Sequence, residues 1–86
     1  MEIGPAFARV LKRLRVIRGL SQERLGAKCG LHRTHISMIE RDERIPSLDT
    51  VYKISQGLDV PLPELMRIVL DEMEIQADQP RSEEEK

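Results

Sequence analysis

Apolar residues recur along the first part of the chain at the spacing of an amphipathic helix. They stand at Phe7, Val10, Leu11, Leu14 and Ile17. Steps of three and four residues place them on one face of a 3.6-residue period. Pro5 suits the first turn of such a helix, and Gly19 suits the left-handed position just past its end. The pattern predicts a helix from about Pro5 to Arg18 whose other faces are basic.

Two short helices joined by a tight turn are predicted next. Ser21 precedes the second helix, and its hydroxyl can accept a hydrogen bond from a free N–H of the first turn. The turn spans Gly30 to His32. A third helix follows from about Arg33 to Arg41, with its inward positions at Ile36 and Ile39.

A fourth and a fifth helix complete the pattern. Ser47 caps the fourth, whose inner stripe is Leu48, Val51, Ile54, Ser55 and Leu58. Pro63 is suited to the start of the fifth helix, expected from about Glu64 to Ile75. Its inner stripe is Leu65, Met66, Val69 and Met73. We therefore expect one domain over residues 1–75, and a polar, acidic tail over 76–86 that is disordered.

Composition agrees with a small all-α domain of five helices. The chain has 86 residues and only two aromatic side chains, Phe7 and Tyr52, so aliphatic residues must form the core. The single cysteine, Cys29, cannot form an intramolecular disulfide, which fits a reducing compartment. The sequence contains neither an apolar stretch long enough to span a membrane nor a signal peptide. We therefore expect a cytoplasmic protein.

Charge is distributed unevenly between the two halves of the chain. The net charge is −1, yet residues 1–46 carry ten Lys and Arg against five Asp and Glu. Residues 47–86 carry four and ten. A basic segment beside an acidic remainder is consistent with a surface for nucleic acid in the first half.

The segment from Gln22 to Arg41 has the residues that a sharp corner between two helices requires. Gly26 lacks side-chain bulk where the second helix meets the third, and Gly30 tolerates a positive φ in the turn. The inside of the corner needs apolar groups, supplied by Leu25, Cys29, Leu31, Ile36 and Ile39. Agreement at this many positions over twenty residues is more specific than any single glycine motif.

These residues carry a resemblance to a known family. The runs Gly19-Leu20-Ser21-Gln22-Glu23-Arg24-Leu25, Gly30-Leu31, Ile36-Ser37, Ile39-Glu40-Arg41 and Ile45-Pro46-Ser47-Leu48 resemble the Cro and phage-repressor (XRE) type of helix-turn-helix. The resemblance covers about residues 6–70 and implies a five-helix, lambda-repressor-like fold. Within the family, the His-Arg-Thr start of the third helix and the short chain resemble controller proteins of restriction–modification systems.

The resemblance implies a DNA-binding surface, because in this family the second helix crosses the backbone and the third lies in the major groove. The implied contact residues are Gln22, Arg33, Thr34, His35, Ser37, Met38, Arg41 and Arg44. Arg33 can pair with guanine, while Thr34 and Met38 can meet a thymine methyl. Gln22 matches the glutamine that contacts a phosphate in the family, and His35, Arg41 and Arg44 would also contact phosphates, which position the protein without specifying sequence.

The resemblance also implies an internal ion pair and several departures from the usual pattern. Arg15 and Glu40 match a buried pair that ties the third helix to the first. The family usually has Ala at Gly26 and Gly57, Ser or Asp at His32, and Gly at Asp59. We expect these departures to weaken helices and caps.

Apolar residues remain on the fifth helix after its inner stripe is assigned. Exposed apolar patches on small proteins usually mark contacts. We predict a homodimer whose interface comprises Leu65, Ile68, Val69, Glu72 and Met73. The expected function is that of an autoregulatory transcription regulator on a near-palindromic operator, with double-stranded DNA and a second copy as partners. RNA polymerase is a further candidate partner.

Two other classes of function are open to a chain of this kind. An antitoxin-type module would bind a toxin protein through the same fold. An enzyme would need a nucleophile with a base or a metal set, and Cys29, His32 and His35 are the available candidates. They offer neither a fourth zinc ligand nor a group that would orient a catalytic pair. We expect no enzyme, no metal and no cofactor.

Overall fold

A computed structural model gives the fold of the protein and describes residues 2–78. These residues form five α helices and no strand. The helices are α1 Ile3–Ile17, α2 Gln22–Cys29, α3 Arg33–Glu40, α4 Leu48–Leu58 and α5 Leu62–Asp78. The five-helix, all-α prediction is confirmed. The rest of the predicted tail, residues 79–86, lies outside the described residues.

Side chains cap the N-termini of the three middle helices. The Ser21 hydroxyl accepts from the backbone N–H of Arg24 at 3.0 Å, and that of Ser47 accepts from Thr50 at 3.1 Å. His32 does the same for α3, because its Nδ1 accepts from the backbone N–H of Thr34 at 3.0 Å. The imidazole thus supplies the acceptor that the usual Ser or Asp would provide.

Helices α1, α3 and α4 end in the same backbone motif. A residue with positive φ follows each helix: Gly19 at 70°, Asp42 at 59° and Asp59 at 60°. After α3, the N–H of Asp42 bonds to the carbonyl of Ile39, and that of Glu43 bonds to Met38. Equivalent bonds close α1 and α4. This is the Schellman arrangement, and it satisfies carbonyls that have no partner within the helix.

The core lies where α1 packs against α3 and α5, and α4 packs against α2 and α5. It comprises Ala6, Phe7, Val10, Leu11, Leu25, Cys29, Ile36, Ile39, Val51, Ile54, Leu58, Val60, Leu65 and Val69. Two residues of the predicted inner stripes are exposed to solvent. Ile17 is 70% exposed at the last turn of α1, and Leu48 is 76% exposed at the first turn of α4. Helix ends project past the neighbouring helices, so the periodic pattern overestimates burial there.

Helix α5 is longer than predicted at both ends. It begins at Leu62 because the Pro61 carbonyl accepts the first bond, from the N–H of Leu65. Pro63 is tolerated in the first turn, where its missing N–H would have had no helical partner. At the other end the helix continues to Asp78, past the predicted boundary at residue 75.

Three of the five residues predicted for a dimer interface are buried inside the monomer. Leu65 and Val69 are fully buried, and Glu72 is 5% exposed. Helix α5 makes its most extensive contact with α1, where Glu72 is paired with Arg13. These three residues therefore offer almost no surface to a second copy. Ile68 and Met73 are only partly covered.

Two glycines allow close approach between helices. A Cβ on Gly26 would lie 2.5 Å from the backbone oxygen of Leu31, so α2 meets the turn before α3 backbone to backbone. A Cβ on Gly57 of α4 would collide with the Sγ atom of Cys29 on α2. The family usually has alanine at both positions. In this protein the neighbouring atoms are packed so closely that a methyl group would not fit without a shift, which explains the glycines.

Candidate nucleic-acid interface

One face of α3 points inward and the opposite face points to solvent. Ile36 and Ile39 are buried in the core. The helical period places Thr34, Ser37, Met38 and Arg41 on the opposite side. Arg33 and Thr34 are exposed, while Ser37 and Met38 are partly exposed. The structure thus brings these predicted contact residues together on one surface.

A cluster of three side chains lies at the end of this surface. The Nε atom of Arg41 donates to one oxygen of Glu43 at 2.9 Å, and its Nη2 donates to the other at 3.0 Å. The Nη1 atom of Arg41 contacts the Ser37 hydroxyl. The hydrogen bonds from Arg41 hold the pKa of Glu43 below its ordinary value. No periodic signal in the sequence predicts this contact between Arg41 and Glu43.

Gln22 lies at the first position of α2, and its side chain is hydrogen-bonded to α3. Its side-chain Nε2 donates to an oxygen of Glu40 at 3.0 Å. This bond fixes the amide at a helix N-terminus, where backbone N–H groups and the helix dipole favour an anion. The predicted phosphate contact is therefore a side chain oriented by α3.

The predicted ion pair between α1 and α3 is confirmed. Nε and Nη2 of Arg15 donate to the two oxygens of Glu40 at 2.6 and 3.1 Å. The two side chains are 12% and 4% exposed. A third nitrogen of Arg15 donates to the carbonyl of Leu20 at 2.8 Å, so the guanidinium also holds the start of the helix-turn-helix. The network fixes α3 relative to α1 and α2.

The two remaining predicted contacts lie at the edges of the surface. His35 is partly buried on the flank of α3, and Arg44 is exposed in the connection between α3 and α4. Neither lies on the central strip formed by Thr34, Ser37 and Met38.

A second internal ion pair was not predicted. Nη1 of Arg13 donates to the nearly buried carboxylate of Glu72 at 3.0 Å, and Gln76 donates to its other oxygen at 2.9 Å. These bonds lower the pKa of Glu72, the one from Arg13 most strongly, although burial opposes them. The available signal is a glutamate between the apolar positions Val69 and Met73, and the sequence alone predicts it as part of a dimer interface.

Residues 2–78 contain no group of three His, Cys, Asp or Glu side chains that could hold a metal ion. Cys29 is buried, and burial raises the pKa of its thiol above the ordinary value. A protonated, covered thiol is a poor nucleophile. Over the same residues, no helix is both long and apolar enough to cross a membrane.

A short helix capped by Ser21, a tight turn and a second helix with a polar outer face define a helix-turn-helix DNA-binding protein. A family profile described as helix-turn-helix matches residues 11–65. The chain belongs to this family, of the XRE type, and its function is DNA-binding transcription regulation.

Known relatives include proteins of restriction–modification systems. The chain is 43% identical over 61 residues to control protein C.BamHI of Bacillus amyloliquefaciens, covering 70% of this chain and 75% of the relative. It is 38% identical over 66 residues to control protein C.SmaI of Serratia marcescens, covering 77% and 79%. The crystal structure of the wild-type restriction–modification controller protein C.Esp1396I superposes with a TM-score of 0.79 at 30% identity, covering 85% and 95%.

Proposed function

We propose that the protein is a controller-type transcription regulator that binds a near-palindromic operator as a homodimer and regulates its own expression. The observation that carries this proposal is the outer surface of α3, on which Arg33, Thr34, Ser37 and Met38 converge while Ile36 and Ile39 hold the helix in the core. The similarity to the control proteins C.BamHI and C.SmaI supports a controller-type protein over other kinds of transcription regulator. The function needs no catalytic step and no cofactor.

The proposed contacts divide into two groups. Arg33, at the N-terminal end of α3, would pair with guanine, and Thr34 and Met38 would contact thymine methyl groups. Gln22, His35, Arg41 and Arg44 would bind phosphates and so set the register of the protein on the duplex. Ser37, between the two groups, is within reach of either.

Binding to DNA from the region upstream of the protein's own gene tests the proposal. Fluorescence anisotropy would compare that duplex with a scrambled one over a salt series. We expect the upstream duplex to bind at least ~10³-fold more tightly, with affinity falling steeply as salt rises. Equal, weak binding to both duplexes would contradict autoregulation through that DNA.

Two substitutions separate base contacts from phosphate contacts. Arg33→Ala should greatly reduce the preference for the upstream duplex, because a base contact carries sequence information. Gln22→Ala should weaken both duplexes alike. Arg67→Ala, at an exposed position on α5, is the matched control and should change neither.

The proposed dimer uses the outer edge of α5. Ile68 and Met73 are partly covered there, and Ile75 is 55% exposed. A two-fold axis along this edge would present two copies of α3 about 34 Å apart, matching half-sites one helical turn apart. A rival surface is an apolar groove of about 220 Å³ whose lining includes Ile3, Ile45 and Leu48.

Sedimentation velocity on two charge variants tests the α5 interface. Ile75→Glu should shift the protein towards monomer, whereas Leu48→Glu should leave the dimer intact. The reverse result would move the interface to the groove beside Leu48. A wild-type protein that is monomeric at all concentrations would contradict the homodimer and favour an antitoxin-type module that binds a different protein.

A further inference from the structure

The guanidinium of Arg41 is already occupied in the protein without DNA. Two of its nitrogens, Nε and Nη2, lie against the two oxygens of Glu43 at 2.9 and 3.0 Å. Two parallel hydrogen bonds from these atoms are also the geometry with which arginine binds a phosphate. Glu43 therefore holds the donors that a DNA phosphate would need.

This pair depends on the turn after α3. Residues two apart do not face each other on a helix. Here Asp42 adopts a φ of 59°, and the N–H of Glu43 returns to the carbonyl of Met38 at 2.8 Å. The chain thus reverses and brings Glu43 back beside Arg41. The pair is built by the end of the helix rather than by chance contact of two long side chains.

We infer that Glu43 is an internal competitor of DNA phosphate for Arg41, and that it weakens the binding of the protein to every duplex. This inference rests on the proposed phosphate contact of Arg41. Both side chains are about half exposed, so the pair can open when DNA arrives. When the pair opens, Arg41 exchanges the carboxylate of Glu43 for a phosphate. The contact with phosphate therefore adds less to the affinity for DNA than it would if Arg41 had no carboxylate partner.

The competition should act on affinity and leave sequence preference unchanged. Phosphate contacts carry no sequence information, so the specific and the scrambled duplex should be affected equally. Removal of the carboxylate should leave the slope of log affinity against log salt nearly unchanged, because Arg41 neutralises the same phosphate in both proteins once the pair has opened.

A double-mutant cycle on Arg41 and Glu43 tests the inference. Anisotropy would be measured on the upstream and scrambled duplexes at several salt concentrations for the wild type, Glu43→Gln, Arg41→Ala and the double variant. We expect Glu43→Gln to tighten binding to both duplexes about threefold at low salt, as for the loss of one exposed ion pair. In the Arg41→Ala background the same change should have almost no effect.

Asp42→Asn is the matched control. It removes the same charge one residue away, from a side chain that takes part in no ion pair within residues 2–78, and asparagine tolerates the positive φ. Competition predicts a much smaller gain from Asp42→Asn than from Glu43→Gln. An equal gain from both, or a gain that persists without Arg41, would show general charge repulsion and overturn the inference. The absence of any gain from Glu43→Gln would overturn it as well.

The outcome is separable from that of the proposed function. If the upstream duplex binds no better than the scrambled one, the proposed operator is wrong, but the cycle on the scrambled duplex still measures the competition. If the upstream duplex is preferred and the cycle shows no coupling between Arg41 and Glu43, the proposed function stands and the inferred competition by Glu43 is wrong.

Discussion

At the scale of single residues, the Arg15–Glu40 pair concentrates several functions in one buried network. Glu40 accepts from Arg15 on α1 and from Gln22 on α2, and it belongs itself to α3. A buried charge is tolerated only while its partner is present. The network therefore couples the stability of the fold to the orientation of a proposed phosphate contact.

Removing one partner of this pair should be costly. Glu40→Ala leaves the guanidinium of Arg15 nearly buried without its carboxylate, and we expect a loss of about 3–5 kcal/mol in the free energy of unfolding. Urea denaturation followed by circular dichroism would measure it. The double variant Arg15→Met/Glu40→Leu removes both charges and should be more stable than Glu40→Ala. If it is no better, the cost of an unpaired buried charge is not the cause.

The cap of α3 gives a second prediction at this scale. His32→Ala removes the Nδ1 acceptor from the N–H of Thr34 and should cost about 1 kcal/mol of stability. His32→Ser restores an acceptor at the same position and should keep most of the wild-type stability. Equal losses in both variants would mean that the ring contributes through packing instead. Thermal unfolding of the three proteins distinguishes the cases.

The structural role of a residue in the site was predictable only where the sequence pattern points to a single role. The inward Ile36 and Ile39 and the Arg15–Glu40 pair are confirmed. The partners of Glu43 and Glu72 were not predicted. Glu43 contacts Arg41 because the chain reverses at Asp42, and Glu72 contacts Arg13 because α5 packs against α1. Neither arrangement leaves a periodic signal in the sequence.

At the scale of helices, the starts and ends of elements were predicted best where a local signal fixes them. Ser21, Ser47 and Gly19 act as expected at helix termini. Asp42 was not recognised as a left-handed residue, and Asp59 was noted only as a departure from the family's usual Gly, because glycine is the usual sign of that conformation. The N-terminus of α5 was missed because a backbone carbonyl, rather than a polar side chain, begins it.

The contact between α2 and α4 yields a prediction about coupled positions. Gly57→Ala places a methyl group against Cys29 Sγ and should destabilise the fold by about 1–3 kcal/mol, despite the better helix propensity of alanine. Cys29→Ala removes the sulfur. The double variant should therefore lose less stability than the two single losses added together, by about 1 kcal/mol. Additive losses in urea denaturation would show that the two positions do not interfere.

At the scale of the whole molecule, α5 closes the domain by packing mainly against α1, with Leu65 and Val69 buried in the core and Glu72 paired with Arg13. The sequence indicated that α5 has more apolar surface than one face needs. It did not indicate which part the monomer uses, because the choice depends on how α5 lies along α1. The proposed homodimer would therefore have to use the part of α5 that the domain leaves uncovered.

The Arg13–Glu72 pair should make stability depend on pH in the acid range. The pKa of Glu72 is lowered by folding, so its contribution is fully present above the ordinary glutamate pKa of about 4.3. It is lost as pH falls through the lowered value. Glu72→Gln should therefore be less stable than the wild type at neutral pH, and the difference should shrink on acidification. Urea denaturation at a series of pH values measures this difference, and a constant gap would contradict the prediction.

The separation between the two faces of α3 has a consequence for how such regulators diverge. The residues that hold the helix, Ile36, Ile39 and Glu40, are distinct from Arg33 and Thr34, which face outward. Gly26 allows the close backbone contact at the corner between α2 and the turn before α3, and the outward side chains take no part in this contact. New operator preferences can therefore arise by changing a few exposed residues while the scaffold is preserved. One scaffold can therefore give rise to many regulators, each of which binds its own promoter and not those of the others.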